Sequence, residues 1–150
     1  MPDRVLFELV TPERLLLSRE VEMVVVPGTE GNFGVLPGHS PLISTIRPGT
    51  IDIYEHHAIV ERIFVVSGIA EVTPEGCTVL ADDAMPTSAL DRVALEAEAQ
   101  TVEGNLPLSR EHVARTAGVE HEQALHDLHQ LERQLGIIRA KLQVLTTLAH

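Results

Sequence analysis

Three Pro-Gly pairs, Pro27-Gly28, Pro37-Gly38 and Pro48-Gly49, recur at intervals of ten and eleven residues within VVVPGTEGNFGVLPGHSPLISTIRPGT, residues 24–50. Proline presets one turn dihedral and glycine accepts positive φ, so each pair is expected to be a turn. The apolar runs between turns so closely spaced have room only for short strands, which predicts a compact all-β module.

The strand candidates are residues 4–10, 20–26, 50–55, 60–67 and 77–81. In the second of these, Glu20, Glu22 and Val24 fall on one side and Val21, Met23 and Val25 on the other, a half-buried alternation. Ile63-Phe64-Val65-Val66 is apolar on both faces, which predicts a place near the centre of a sheet. Cys77 alternates with Val79 and Ala81, so a buried strand cysteine is expected and not a reactive one. Short strands joined by tight turns predict a sandwich or flattened barrel ending at Met85-Pro86.

From Ser88 the hydrophobic period changes from two to 3.6. Ser88 with Asp91 resembles a capping box, and Leu90, Val93, Ala94, Ala97 and Thr101 share a face of a first helix that is expected to stop at Gly104. Asn105-Leu106-Pro107 reads as a connector, and Ser109 as the cap of a short helical turn before Gly118. A second helix is expected from Val119, with Leu125, Leu128, Leu131, Leu135, Ile138, Leu142, Leu145 and Leu148 at spacings of three and four. The expected class is α+β: an N-terminal all-β sandwich over residues 1–86, then a C-terminal helical hairpin over 87–150.

Bulk properties narrow the function. A net charge of −11 argues against nucleic acid and anionic membrane surfaces, which reward clustered Lys and Arg. Aromatic residues make up 3% of the chain, too few to stack bases. Cys77 is the sole cysteine, which excludes an internal disulfide and fits a reducing compartment. No apolar run approaches the roughly 20 residues of a membrane span, and the N-terminus lacks a signal pattern, so a soluble intracellular protein without direct membrane insertion is expected.

The glycines between Gly28 and Gly34 lack the Gly-Lys-Ser/Thr ending and following helix of a phosphate loop, so the segment reads as a surface hairpin. His39 stands between two turns without a nucleophile and carboxylate at a recognisable spacing, and is expected to serve an interface or structural role with Pro41 and Leu42. His121 and His126 are about 140° apart around a helix and cannot easily share a metal, and no third ligand accompanies His126 and His129. No metal or cofactor is expected. After Glu132 the acidic residues cease while Arg133, Arg139 and Lys141 follow, giving an acidic protein a basic last segment, and Gly136 is a candidate bend point there.

Pro27-Gly28-Thr29-Glu30-Gly31-Asn32-Phe33-Gly34, Leu36-Pro37-Gly38-His39-Ser40-Pro41-Leu42 and Ile46-Arg47-Pro48-Gly49 together resemble the epsilon subunit of bacterial F-type ATP synthases. Ser67-Gly68-Ile69-Ala70-Glu71-Val72 and Val79-Leu80-Ala81-Asp82 extend the resemblance over the first 85 residues. It implies a non-catalytic central-stalk subunit that couples the gamma subunit to the membrane rotor ring, held peripherally on the cytoplasmic side of the bacterial inner membrane. It implies that Glu30, Gly31, Asn32, Phe33 and Gly34 face the rotor ring, although relatives can carry an acidic residue where Asn32 stands. It further implies a tail, with Arg133, Gly136, Arg139 and Lys141, that can extend toward the catalytic alpha and beta subunits and inhibit ATP hydrolysis. Some relatives bind ATP through an Ile/Leu-Asp-x-x-Arg-Ala motif. Here Leu90-Asp91 is followed at once by Arg92, and Gly136 stands where the second candidate stretch needs Asp, so nucleotide sensing is not expected. The rival reading from the residues alone is a free-standing β-sandwich adaptor that binds helical partners.

Overall fold

The computed structural model describes residues 3–148, and the chain divides into two compact units, Met1–Ala89 and Leu90–His150. The first contains β1 (Val5–Val10), β2 (Leu15–Val21), β3 (Met23–Gly28), β4 (Gly31–Val35), β5 (Leu42–Ile46), β6 (Gly49–Glu55), β7 (Ala58–Val65), β8 (Gly68–Val72), β9 (Gly76–Ala81) and β10 (Ala84–Pro86). They form one sheet in the order β10-β7-β6-β3-β5-β8-β9-β1-β2, with β4 paired on β3. Neighbours are antiparallel apart from β1 and β9.

Period-two burial makes the sheet close on itself as a sandwich. Val5, Phe7 and Leu9 on β1 pack with Val24 and Val26 on β3, Ile51 and Ile53 on β6, and Val79 on β9, all inaccessible or nearly so. Each such side chain contributes about 1.5–3 kcal/mol on burial, and a two-layer arrangement is what lets every strand present its apolar face inward. β3 carries the sheet from one layer to the other: Val24 and Val25 pair with β6, whereas Gly28 pairs with Ile46 of β5. Gly68 fixes the start of β8. Its φ is +149°, and a Cβ there would stand 2.0 Å from the Leu80 carbonyl oxygen.

The single strand expected over residues 20–26 is instead two strands that break at Glu22. Burial parity changes there, from odd at Val21 to even at Val24 and Val26. The Glu22 amide donates to the Tyr54 carbonyl at 3.2 Å and to Glu55 Oε1 at 2.8 Å. Its carboxylate accepts from the amides of His56 and His57, at 3.0 and 3.2 Å, and holds the β6–β7 turn. Both histidines have positive φ, 52° and 63°, the geometry of a two-residue primed hairpin turn that glycine and asparagine usually occupy. The Glu22 carboxylate supplies the local acceptor that stabilises this costly backbone.

Pro27-Gly28 also departs from expectation. It ends β3, with both residues buried, and the turn lies one step later at Thr29-Glu30. The Pro27 carbonyl accepts from the Arg47 amide at 3.0 Å, so this proline remains part of the sheet. Pro37-Gly38 is a turn as expected: the His39 amide donates to the Leu36 carbonyl at 3.2 Å, and Gly38 takes φ +79°, the type II geometry.

In the second unit, α1 spans Arg92–Arg115 and α2 spans Gly118–Leu148. The N-cap is Asp91, not Ser88: its Oδ1 accepts from the Val93 and Ala94 amides at 3.0 and 3.3 Å. Ser88 belongs to a single 3-10 turn, Thr87–Ala89. Nor does α1 stop at Gly104. It runs through Pro107, because its buried face is Leu95, Ala99, Val102 and Leu106, which pack with Leu135 and Ile138 of α2. Losing Leu106 from that seam would offset most of what is gained by ending at Gly104. The face expected from Val93, Ala97 and Thr101 points to solvent, with Val93 77% exposed. The stripe on α2 is as expected over most of its length, with Leu135 and Ile138 buried and Leu128, Leu131, Leu142 and Leu145 half-buried against them, but Leu125 lies outside this cluster and Leu148 is 36% exposed.

Candidate functional site

The β3–β4 hairpin projects two exposed residues, Thr29 and Glu30, between the paired glycines Gly28 and Gly31. Gly28 is required where it stands, since a Cβ would meet the Gly31 carbonyl oxygen at 2.8 Å and the Phe33 ring at 3.0 Å. The hairpin is tied to β5 by the Thr29 amide donating to the Thr45 carbonyl at 3.0 Å and by a Thr29–Thr45 hydroxyl bond at 2.8 Å. The Arg47 guanidinium donates to the Asn32 side-chain oxygen. Between hairpin and strand lies a shallow cleft of about 640 Å³, with residues 29–33 on one wall and 42–45 on the other.

Glu30, Gly31, Asn32, Phe33 and Leu42 therefore line one cleft, although the first four and Leu42 were singled out on separate grounds. Gly34 is outside it, on the side of β4 that faces Met23 and Val25. His39 and Pro41 belong to the connection that precedes β5. The His39 ring is engaged locally, with Nδ1 2.6 Å from the Ser40 carbonyl, and the Gly38 amide ties this loop to the Pro74 carbonyl at 3.0 Å. Of the tail candidates, Arg133 is exposed and Lys141 half-buried. Arg139 reaches across the hairpin to Glu103 Oε1 at 3.3 Å, and Gly136 faces open space.

Sequence reading missed a second feature. The register aligns Thr45, Ile69, Leu80, Val10 and Leu15 on consecutive strands from β5 to β2, making one row across the outer face of the sheet. Ile69, Leu80 and Leu15 are 47%, 54% and 53% exposed. Ile43, 73% exposed, lies at the edge of the adjacent row and also lines the cleft, so cleft and row share a border. Glu71, Thr78 and Glu8 continue Ile43's row and give the apolar strip a polar flank. A contiguous apolar strip with a polar border is the anatomy of a protein-docking surface. A signal was present: Leu80 stands outward between Val79 and Ala81, where a solvated strand would carry a polar residue.

Reactive groups are few. Cys77 is buried, and desolvation pushes its thiol up to about 12. Asp52 and Arg62 pair across β6 and β7 at 3.6 Å, and burial raises the Asp52 carboxyl against the opposing pull of its Thr50 hydrogen bond and the Arg62 charge. His121 Nδ1 lies 3.1 Å from the Val113 carbonyl, a contact that steadies the α1–α2 turn. Among the described residues no three His, Cys, Asp or Glu side chains gather as a metal would require, and no helix is long and apolar enough to cross a membrane.

Residues 4–87 match the family model of the ATP synthase delta/epsilon chain β-sandwich domain. The ATP synthase epsilon chain of Rhodospirillum centenum is 43% identical over 152 residues, which covers 98% of this chain and 95% of that one. Its counterpart in Rhodospirillum rubrum is 54% identical over 100 residues, 67% of this chain and 75% of that one. Among solved structures, a chain of the Euglena gracilis mitochondrial ATP synthase, in an assembly of OSCP, F1 and c-ring, superposes with a TM-score of 0.64 at 18% identity, covering all of this chain and 84% of that one. A chain from the central stalk and c-ring of the Tetrahymena thermophila enzyme gives 0.53 at 15% identity, covering 91% and 96%. These two likenesses concern the fold, whereas the family match and the 43% identity along nearly the whole chain concern descent: this chain belongs to the epsilon-chain family of ATP synthases.

Proposed function

We propose that the chain is a non-catalytic rotor subunit that couples the gamma subunit to the membrane rotor ring of a proton-translocating ATP synthase. The observation that carries this reading is the pair of adjoining surfaces on the sandwich, an apolar strip and a hairpin-walled cleft. The strip formed by Leu15, Val10, Leu80 and Ile69 suits a large, dry contact of the kind a permanent stalk neighbour makes. The cleft bordered by Glu30, Gly31, Asn32 and Phe33 suits a smaller, more polar contact with the loops of the ring. Two contacts on one rigid sandwich are what transmission of torque needs. The complex would lie peripherally, on the cytoplasmic side of the bacterial inner membrane.

The helical tail is assigned a regulatory role, restraining ATP hydrolysis when its basic last segment reaches acidic catalytic subunits. The clustering of Arg133, Arg139 and Lys141 beyond the last acidic residue supports it. Truncation after residue 89 tests the two parts together. The sandwich should still bind the gamma subunit while hydrolysis by the assembled enzyme rises; lost binding would refute the docking assignment, and unchanged hydrolysis the regulatory one.

A further inference from the structure

We propose that the helical hairpin opens in two stages about a weak layer at Gly104, Pro107 and Gly136, with its tip, residues 108–134, separating while its base stays zipped. This concerns the chain's own folding energetics and does not depend on the regulatory reading.

Three helix-disfavouring residues stand at one level of the hairpin. Gly104 and Pro107 are within one turn of each other on α1, and the Arg139–Glu103 bridge and the cleft that Leu106 and Leu135 both line bring Gly136 of α2 to the same level. Neither glycine is required by its surroundings. A Cβ built at either position meets nothing within 4 Å, and neither has positive φ. Pro107 has no N–H to donate to the carbonyl one turn earlier, so the α1 ladder is interrupted at this level as well. A cleft of about 400 Å³, bordered by Leu106, Pro107 and Leu135, opens between the helices here. The backbone ladder is therefore weakest in a slice that Leu106 and Leu135 hold closed by their side chains alone.

The two sides of this slice are unequal. Leu95, Ala99, Val102 and Ile138 are buried on the base side, with Leu142 and Leu145 half-buried beside them, and Arg92 reaches Thr146 at 3.4 Å. On the tip side α1 buries no residue beyond Leu106, and Leu108 is 65% exposed. The tip of α2 buries only Ala124 among the described residues, with Leu128 and Leu131 half-covered. Few buried apolar groups and many solvated backbone bonds define the segments that open first. The weak layer separates such a segment from a better-packed one.

Hydrogen exchange of the full-length protein, read peptide by peptide by mass spectrometry, tests this. Amides of 122–134 should exchange at least about tenfold faster than those of 137–144, although both lie in the interior of one continuous helix. Gly104→Ala with Gly136→Ala should slow exchange in the tip by about fivefold per substitution, the ratio expected from alanine's helix preference over glycine, and slow the base by no more than the same factor, since either opening disrupts the layer. Pro107→Ala, which restores a ladder donor, should act in the same direction. Equal protection of tip and base in the unmodified chain would overturn the proposal, as would variants that leave exchange in the tip unchanged.

Discussion

Replacing Ile69 and Leu80 together by serine should weaken binding to the gamma subunit about ten- to a hundredfold while leaving the sandwich folded. The two side chains are directly paired across β8 and β9 and are 47% and 54% exposed, so roughly half of each remains to be covered by a partner. Full burial of such a side chain contributes about 1.5–3 kcal/mol, so the uncovered half accounts for about 0.8–1.5 kcal/mol each. The pair then contributes about 1.5–3 kcal/mol to docking, and each 1.4 kcal/mol is tenfold in Kd. Both point away from the core of Phe7, Val79 and Ile53, so thermal unfolding of the free variant should shift little. Isothermal titration of wild type and variant against the isolated gamma subunit measures the difference directly. A Kd within twofold of wild type, with both proteins folded, would show that this row is not the docking face.

Gly68→Ala combines an unfavourable φ with a backbone clash, and should destabilise the sandwich by about 2–6 kcal/mol in urea unfolding, where a loss under 1 kcal/mol would contradict the geometry. Cys77 should resist alkylation at pH 8 in the folded chain and react at once in denaturant. Because its folded thiol holds its proton up to about 12, against 9.0 unexposed to burial, the unfolded state binds fewer protons between those values, and stability should fall as pH rises through that window. Cys77→Ala should abolish that part of the slope, and an unaltered slope would exclude the assignment. Asp91→Ala removes the acceptor for two amides and should lower the stability of α1 by about 1 kcal/mol, seen as faster exchange in its first turn.

How far the fold was legible depended on how local its cause was. Period-two burial in β1 and β9, and the Pro37-Gly38 turn, follow from neighbours along the chain. The break at Glu22 does not, because what makes it favourable is the reach of one carboxylate to His56 and His57, more than thirty residues away. Pro27-Gly28 misled for a related reason: the same dipeptide that makes a turn at 37 is retained in a strand at 27, where the Pro27 carbonyl finds Arg47. Gly104 and Pro107 carry genuine helix-stop signals, and the seam of Leu95, Ala99, Val102 and Leu106 overrides them. At the site, the hairpin residues were readable from their glycines, but of the row from Thr45 to Leu15 only the outward Leu80 left a signal. The row exists only through the register of five strands, one pair of them parallel.

Proton pumping in membranes carrying the synthase tests the central claim most directly, since a coupling subunit changes what hydrolysis accomplishes without performing it. Membranes lacking this chain should hydrolyse ATP yet fail to acidify the vesicle interior, and adding back the purified protein should restore pumping. Full pumping in its absence, or ATP turnover by the isolated chain, would contradict the account.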